Sequence, residues 1–303
     1  MKYAITGSTG HISKPITKAL VSAGHEVVVI TSKHDRVKEV ESLGAKAAVG
    51  SIQDTGFLKK AFAGAHAIYT MVPPVQQVED WKNYIGQIGK NYAQAATANK
   101  IQYIVNLSSV GAHLTEGTGP VTGLHRVEEA LNTVPGVNIV HLRPAYFYYN
   151  LLTQIGLIKN MGIMGANFSS HEKKFAIVDP SDIAAVAIDE LLTLNFTGHN
   201  VQYIASDEVS TDEIAATIGQ AIDKPDLKWV EFTDEQSVQG AVQAGLPKEL
   251  AENYTEMGHS LRTGAMLEDY WKHRPATLGK VKLADFANSF PAAYNNEAIV
   301  AAH

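Results

Sequence analysis

A glycine-rich segment near the N-terminus has the residue types and the spacing that bind phosphate groups through the backbone. Thr6-Gly7-Ser8-Thr9-Gly10-His11-Ile12-Ser13 lies between a short apolar run and a segment with helical periodicity. Two glycines permit a tight turn and the close approach of a pyrophosphate, and the following helix N-terminus offers unpaired N–H groups. The segment therefore predicts a dinucleotide site formed by Gly7, Thr9, Gly10, His11 and Ile12. A tight turn that binds no ligand is the alternative.

The residues after the second apolar run indicate which dinucleotide would bind. Ser32, Lys33 and Arg36 follow the predicted strand Glu26–Thr31, and no carboxylate stands at its end. A carboxylate there would accept the ribose hydroxyls of NAD(H), whereas hydroxyls and cations suit a 2′-phosphate. We therefore expect NADP(H) to be preferred, with NAD(H) as the second option. The alternative is that Lys33 and Arg36 form only the solvated face of a helix.

Short apolar runs alternate with longer helix-like segments through the first half of the chain. Such runs are typical of a parallel sheet covered by helices on both faces. The expected fold is α/β, with a Rossmann-type doubly wound parallel sheet. Ligands of this fold bind at the carboxyl ends of the strands. Because Met71, Val72 and Pro73 follow the fourth run, we predict that they line the dinucleotide site.

The second half of the chain is less regular and predicts a smaller α/β C-terminal substrate region. We expect a dinucleotide-binding domain over 1–150, a mainly substrate-binding region over 151–290 and a tail over 291–303. Helices are predicted over 124–131 and 283–290. A strand over 201–204 is expected to return to the main sheet. Ser210 and Glu213 have the spacing of a capping box, which predicts the start of a helix.

Several segments together resemble the NmrA-like family of atypical short-chain dehydrogenases. They are TGSTGHIS (6–13), VVVITSKHDR (27–36), GSIQD (50–54), IVNLSSVGA (104–112), GLHRVEEAL (123–131) and HLRPAYFYYN (141–150). The stretch GLPKELAENYTEMGHSLRTGAM (245–266) is also similar to the bacterial NADPH-dependent quinone oxidoreductases of that family. Ser13 departs from the pattern, because the family usually has a third glycine there. That glycine serves close helix–strand packing, and we expect serine to cause only a slight shift.

The resemblance implies further site residues. Ile52 and Gln53 lie in the segment that packs beside the adenine in the family. The segment that ends at Asn150 borders the nicotinamide, which places Pro144 in the cofactor site. Its aromatic residues Tyr146, Phe147 and Tyr149 would form a wall for a flat acceptor, and packing of a strand-to-helix turn is the alternative reading.

The proton-donating machinery of ordinary short-chain dehydrogenases is missing from this sequence. Those enzymes use a serine with a YxxxK tyrosine and lysine, and no tyrosine occurs between Val110 and Leu142. Ser108 stands in the serine region, and His125 could orient the nicotinamide ribose or donate a proton. A helix-surface pair with Glu129 is the alternative for His125. With Ser108, His125 and Tyr146 as catalytic candidates, we predict hydride transfer from NADPH to a quinone-like or other conjugated acceptor. Such chemistry depends mainly on orientation.

Composition excludes several other classes of function. The 303 residues include no cysteine, which rules out disulfides and thiolate metal sites, and the scattered histidines predict no metal site. A net charge of −6 without a basic run disfavours nucleic acid as a partner. No apolar run suits a membrane span. The absence of cysteine fits a cytoplasmic protein, which is the expected location. The expected partner is a small-molecule acceptor, and a homodimer stays open. The family also implies a second function, a redox sensor that binds NADP and a partner protein without catalysis.

Overall fold

The computed structural model describes residues 1–75, 77–171 and 174–296. The strands are β1 (Lys2–Ile5), β2 (Glu26–Thr31), β3 (Lys46–Val49), β4 (Ala67–Thr70), β5 (Tyr103–Leu107), β6 (Asn138–Pro144), β7 (Tyr146–Phe147), β8 (Met164–Ala166), β9 (Phe175–Val178), β10 (His199–Ile204), β11 (Asp207–Val209) and β12 (Trp229–Glu231). The helices are α1 (Ser13–Ser22), α2 (Val37–Ser42), α3 (Thr55–Ala61), α4 (Trp81–Asn99), α5 (Pro120–Asn132), α6 (Ile155–Met161), α7 (Pro180–Thr193), α8 (Thr211–Ala221), α9 (Asp234–Gln243), α10 (Lys248–Thr263), α11 (Glu268–Lys272) and α12 (Leu283–Tyr294).

The main sheet confirms the predicted Rossmann-type fold. Its seven strands have the order β3-β2-β1-β4-β5-β6-β10, and every neighbouring pair is parallel. The order reverses direction between β1 and β4, which opens a crevice at the carboxyl ends of these strands. Strand β10 pairs with β6, so the chain returns to the main sheet after residue 150, as expected for 201–204.

Alternating side chains of the strands build two apolar cores, one on each face of the sheet. Tyr3 and Ile5 of β1 face one core, which also contains Leu20 of α1. Ala4 faces the other, where Tyr92 of α4 packs. Because both faces are covered, inner strands such as β1, β2 and β4 are mostly apolar, and the crevice at the carboxyl ends of the strands is left as the place for polar chemistry.

Some element boundaries differ from those expected. The capping box of Ser210 and Glu213 is confirmed at the start of α8. Helix α5 begins at Pro120 rather than near residue 124, because proline is favoured at the first helical position. Helix α12 continues through Pro291 to Tyr294, so the predicted end at residue 290 was wrong. The predicted tail over 291–303 lies partly outside the described residues, which end at 296.

The second half contains two small sheets whose strand pairing the sequence patterns did not predict. One has the order β11-β9-β7, and the other pairs β12 with β8. Their strands have two to four residues, too few to show an alternating pattern. Among the described residues, no helix combines the length and the apolar character needed to cross a bilayer.

Candidate functional site

The glycine turn joins β1 to α1 at the crevice, and its backbone requires glycine at position 7. Gly7 has a φ of +88°, and a Cβ atom there would lie 2.4 Å from Ser13 Oγ. The Ser13 hydroxyl donates a hydrogen bond to the Thr6 carbonyl at 2.9 Å. Serine is thus accommodated where the family usually has a third glycine, because its only polar group is satisfied within the turn.

The turn leaves the N-terminus of α1 open to an anion. No side chain caps this helix, and its first turn holds no acidic residue. The first N–H groups of a helix point out along its axis and carry a partial positive charge. The turn is also tied to β2, since Ser8 N donates to the Ile30 carbonyl at 3.2 Å and Ser8 Oγ to Thr31 Oγ1 at 3.0 Å. A pyrophosphate could therefore bind here at the first N–H groups of α1.

A carboxylate that the sequence analysis did not include lies beside the turn. Glu39 of α2 accepts hydrogen bonds from Thr9 Oγ1 at 2.8 Å, Lys14 Nζ at 2.8 Å and Arg36 Nη1 at 2.9 Å. The bonds from Lys14, Thr9 and Arg36 lower the pKa of Glu39 to about 2. Arg36 is therefore already paired, whereas Lys33 is exposed at the end of β2. Only the spacing of Arg36 and Glu39 along the helix could have signalled this carboxylate from the sequence.

The segment expected beside an adenine is held by α4. Asn91 donates from its side-chain amide to the carbonyls of Ile52 and Gln53, both at 3.2 Å. Ile52 packs against the apolar core that contains Tyr92 of α4, while Gln53 is exposed. The segment therefore offers a fixed backbone and one open side chain.

Met71 lies against the glycine turn at the end of β4. Its side chain comes within 3.1 Å of the position of a Cβ atom on Gly7, and its N–H donates to Thr6 Oγ1 at 2.9 Å. Tyr92 Oη donates to the Met71 carbonyl at 2.8 Å. Val72 and Pro73 follow, both half-buried. The residues after β1 and β4 thus meet where the crevice of this fold opens.

Ser108 is buried on the side of the sheet that faces α5. Its hydroxyl donates to Glu128 Oε1. Glu128 also accepts from Arg143 Nε at 3.0 Å and Nη2 at 2.7 Å, and both side chains are less than 10% exposed. Since its proton is committed to a buried carboxylate, Ser108 is a poor donor toward a substrate in this arrangement. Pro144, at the end of β6, is buried and accepts a hydrogen bond from Val110 N at 3.0 Å.

His125 is held on α5 by contacts at both ring nitrogens. Nδ1 lies 2.8 Å from the Ala112 carbonyl, which can only accept, so Nδ1 carries a proton. Nε2 lies 3.6 Å from Glu129 Oε2. The pairing with Glu129 that the sequence suggested as an alternative is present as a contact within ion-pair range. The bond to the Ala112 carbonyl commits Nδ1, whereas Nε2 lies beyond hydrogen-bond distance of Glu129.

The aromatic residues after β6 differ in exposure. Tyr146 packs edge-on against Phe168 and Phe175, and burial raises the pKa of its phenol, which makes it a weaker acid. Phe147 packs against the same core. Tyr149 is 37% exposed, with its ring 5.7 Å from that of His11 in the glycine turn. Of the predicted wall, Tyr149 is therefore the member that lies open beside the turn.

Helix α10 adds an aromatic residue that the sequence analysis did not single out. Tyr254 is 42% exposed and lies edge-on to Trp81 at 5.1 Å. Partial burial and, to a smaller extent, the Tyr149 phenol raise the pKa of Tyr254. Tyr149 and Tyr254 are thus two partly exposed phenols, from distant parts of the chain, that influence each other electrostatically.

A sequence model of the NmrA-like family matches residues 2–278. Two curated relatives align over most of their length. A (4-alkanoyl-5-oxo-2,5-dihydrofuran-3-yl)methyl phosphate reductase of Streptomyces griseus is 24% identical, and the alignment covers 86% of this chain and 87% of the relative. An NAD(P)H azoreductase of Xenophilus azovorans is 23% identical over 96% of this chain and 98% of the relative.

Solved structures with the same fold include two reductases determined with cofactor. One is an NADPH-dependent quinone oxidoreductase of Escherichia coli, complexed with NADPH, with a TM-score of 0.78 and 18% identity. The superposition covers 94% of this chain and 98% of the oxidoreductase chain. The triphenylmethane reductase of a Citrobacter species, complexed with NADP(H), has a TM-score of 0.77 and 17% identity over 96% and 100% of the two chains. At this identity the likeness establishes the fold.

Proposed function

The chain belongs to the NmrA-like family, and from this premise we propose that it is an NADPH-dependent reductase of flat, conjugated small molecules such as quinones. The relatives and structural neighbours named above include reductases described for quinone, azo and triphenylmethane compounds. Their names share a conjugated acceptor, and that shared chemistry is carried here to this chain as a proposal.

The observation that carries the proposal is the open glycine turn at the crevice. The backbone around Gly7 and the uncapped N-terminus of α1 would hold the pyrophosphate of NADPH. Ser32, Lys33 and Arg36 would face its 2′-phosphate, and Ile52 and Gln53 its adenine. Bound there, NADPH supplies the hydride for the reduction.

The acceptor side is proposed to lie between Tyr149 and Tyr254. Aromatic faces orient a flat molecule by stacking and exclude water from it. When hydride adds to a conjugated acceptor, the negative charge is spread over the π-system, so a strong protein acid is dispensable. This matches a site in which Ser108 and His125 are already bonded to neighbouring protein groups. Orientation then supplies most of the rate.

The decisive experiment combines binding and turnover. The protein is titrated with NADPH by fluorescence, and NADPH oxidation is followed with a panel of quinones, azo dyes and enones. The proposal predicts saturable binding and steady oxidation with several members of the panel. Tight binding without oxidation of NADPH by any acceptor would instead favour the sensor, whose partner could be sought by pull-down with and without NADP.

A further inference from the structure

Glu39 is bonded to donors from three separate elements. Thr9 belongs to the glycine turn, Lys14 to α1 and Arg36 to the 3₁₀ turn after β2, and their donor atoms lie 2.8–2.9 Å from the Glu39 oxygens. The carboxylate is about one-third exposed, so it is not held there by burial. Its pKa of about 2 means that it stays charged at any working pH. The Glu39 carboxylate, which accepts hydrogen bonds from these three donors, thus lies beside the glycine turn as a fixed negative charge.

A phosphate monoester accepts hydrogen bonds from groups of the same three types. A phosphate has three acceptor oxygens and forms short, charge-assisted bonds with lysine, arginine and hydroxyl groups. Thr9 and Arg36 also flank the place where the adenosine end of a dinucleotide would lie, between the turn and the end of β2. A 2′-phosphate would therefore meet donors that are already satisfied by a carboxylate.

We infer that Glu39 is an internal competitor for the 2′-phosphate of the cofactor. In the free protein its carboxylate takes the place of the phosphate on Thr9, Lys14 and Arg36, and NADPH binds only when the carboxylate gives way. NADH has no 2′-phosphate and does not meet this competition. Glu39 thus reduces the difference in affinity between NADPH and NADH. The inference rests on the proposed function, because it assumes that a dinucleotide binds at the turn.

The test is the substitution Glu39→Gln, which removes the charge and keeps the shape. Glu41→Gln is the matched control, because it changes the net charge by the same amount. Glu41 is exposed and lies two residues further along α2. The dissociation constants of NADPH, NADH, 2′-AMP and 5′-AMP are measured by calorimetry for the parent and both variants. Thermal unfolding shows whether each variant is folded, and Glu39→Ala provides a second variant.

The inference predicts that Glu39→Gln tightens NADPH and 2′-AMP by about tenfold, because a competing and repelling charge is removed. NADH and 5′-AMP should change by less than about twofold, since they lack the phosphate that meets this charge. Glu41→Gln should leave every constant near that of the parent. The inference is overturned if a folded Glu39→Gln binds NADPH no more tightly than the parent, because Glu39 would then only position its neighbours. If the parent binds NADPH and Glu39→Gln shows no gain in affinity, the inference fails but the proposed function stands. If the parent binds neither NADPH nor NADH, the inference and the proposed function both fail.

Discussion

The hydroxyl of Ser108 donates a hydrogen bond to the carboxylate of Glu128, which also forms a two-point ion pair with Arg143. The residue that ordinary short-chain dehydrogenases would use on a substrate is here part of a buried structural network. Two substitutions in this network should therefore affect folding more than chemistry.

Ser108→Ala should lower the free energy of unfolding by about 1–3 kcal/mol, the usual cost of losing a hydrogen bond to a charged group. The kcat for NADPH oxidation should fall by less than about fivefold, since the mechanism needs no serine donor. Glu128→Gln should cost up to about 3–5 kcal/mol, because the buried Arg143 loses its two-point partner and, among the described residues, keeps only Asp269 as a counter-charge, 3.4 Å from its Nη1. Urea denaturation measures both, with exposed Glu129→Gln as control. If Ser108→Ala stays as stable as the parent and loses nearly all activity, the serine is catalytic.

Cofactor choice should depend on the cations after β2. NADPH should bind more tightly than NADH by about 1–3 kcal/mol, the range for charge-assisted bonds to the 2′-phosphate. The double variant Lys33→Ala with Arg36→Ala should remove most of that difference by weakening NADPH alone. Lys59→Ala with Lys60→Ala makes the same charge change on exposed positions of α3 and should leave the preference intact. Equal affinities in the parent would refute the preference for NADP.

The acceptor should bind between the two exposed tyrosines. Tyr149→Ala and Tyr254→Ala should each raise the KM for a small quinone by about five- to twentyfold, because a stacking face is lost. The dissociation constant of NADPH should change little at Tyr254, which belongs to α10 rather than to the glycine turn. Trp271→Ala removes a comparably exposed aromatic ring from α11 and serves as the control. If both tyrosine variants keep the parent KM, the acceptor binds elsewhere.

His125 should matter little to the rate. Its ring is bonded to the Ala112 carbonyl and lies near Glu129, so His125→Ala should lower kcat by less than about tenfold. The pH profile of kcat should keep the same shape in the variant. A loss near a thousandfold, with a titration step that disappears from the profile, would show acid–base catalysis and would overturn the proposed mechanism. His125→Gln, which can still donate to the Ala112 carbonyl, separates a structural loss from a chemical one.

The main sheet could be predicted because its strands are buried on both faces. Runs such as Glu26–Thr31 contain few polar residues, and a helical segment separates each successive pair among the first six strands. The glycine turn was equally legible, since Gly7 needs a positive φ and few other residues tolerate it. The short strands β7 and β9 could not be predicted, because two to four residues show no alternation of apolar and polar side chains. These residues become strands only through pairing with their neighbours.

The side-chain pairs of the site could not be predicted from spacing. Thr9 and Glu39 are 30 residues apart, and Tyr149 and Tyr254 are 105 apart, so only the fold brings them together. The sequence showed that no carboxylate ends β2, and this remains correct for the strand itself. It could not show that a carboxylate from α2 would reach back to the turn, because that depends on the path of the chain between them.

Hydride transfer from bound NADPH is measured most directly in a single turnover of the preformed cofactor complex. The protein saturated with NADPH is mixed with menadione, and the loss of the reduced nicotinamide absorbance is followed in a stopped-flow instrument. For a quinone reductase we expect a first-order decay whose rate saturates with quinone concentration. We also expect Gly10→Asp to bind NADPH at least about tenfold more weakly, because a negative side chain enters the pyrophosphate site. Gly240→Asp, where an added Cβ atom meets nothing within 4 Å, should behave as the parent does. A folded Gly10→Asp variant that binds NADPH as tightly as the parent, or a parent complex that never transfers its hydride, would contradict the account.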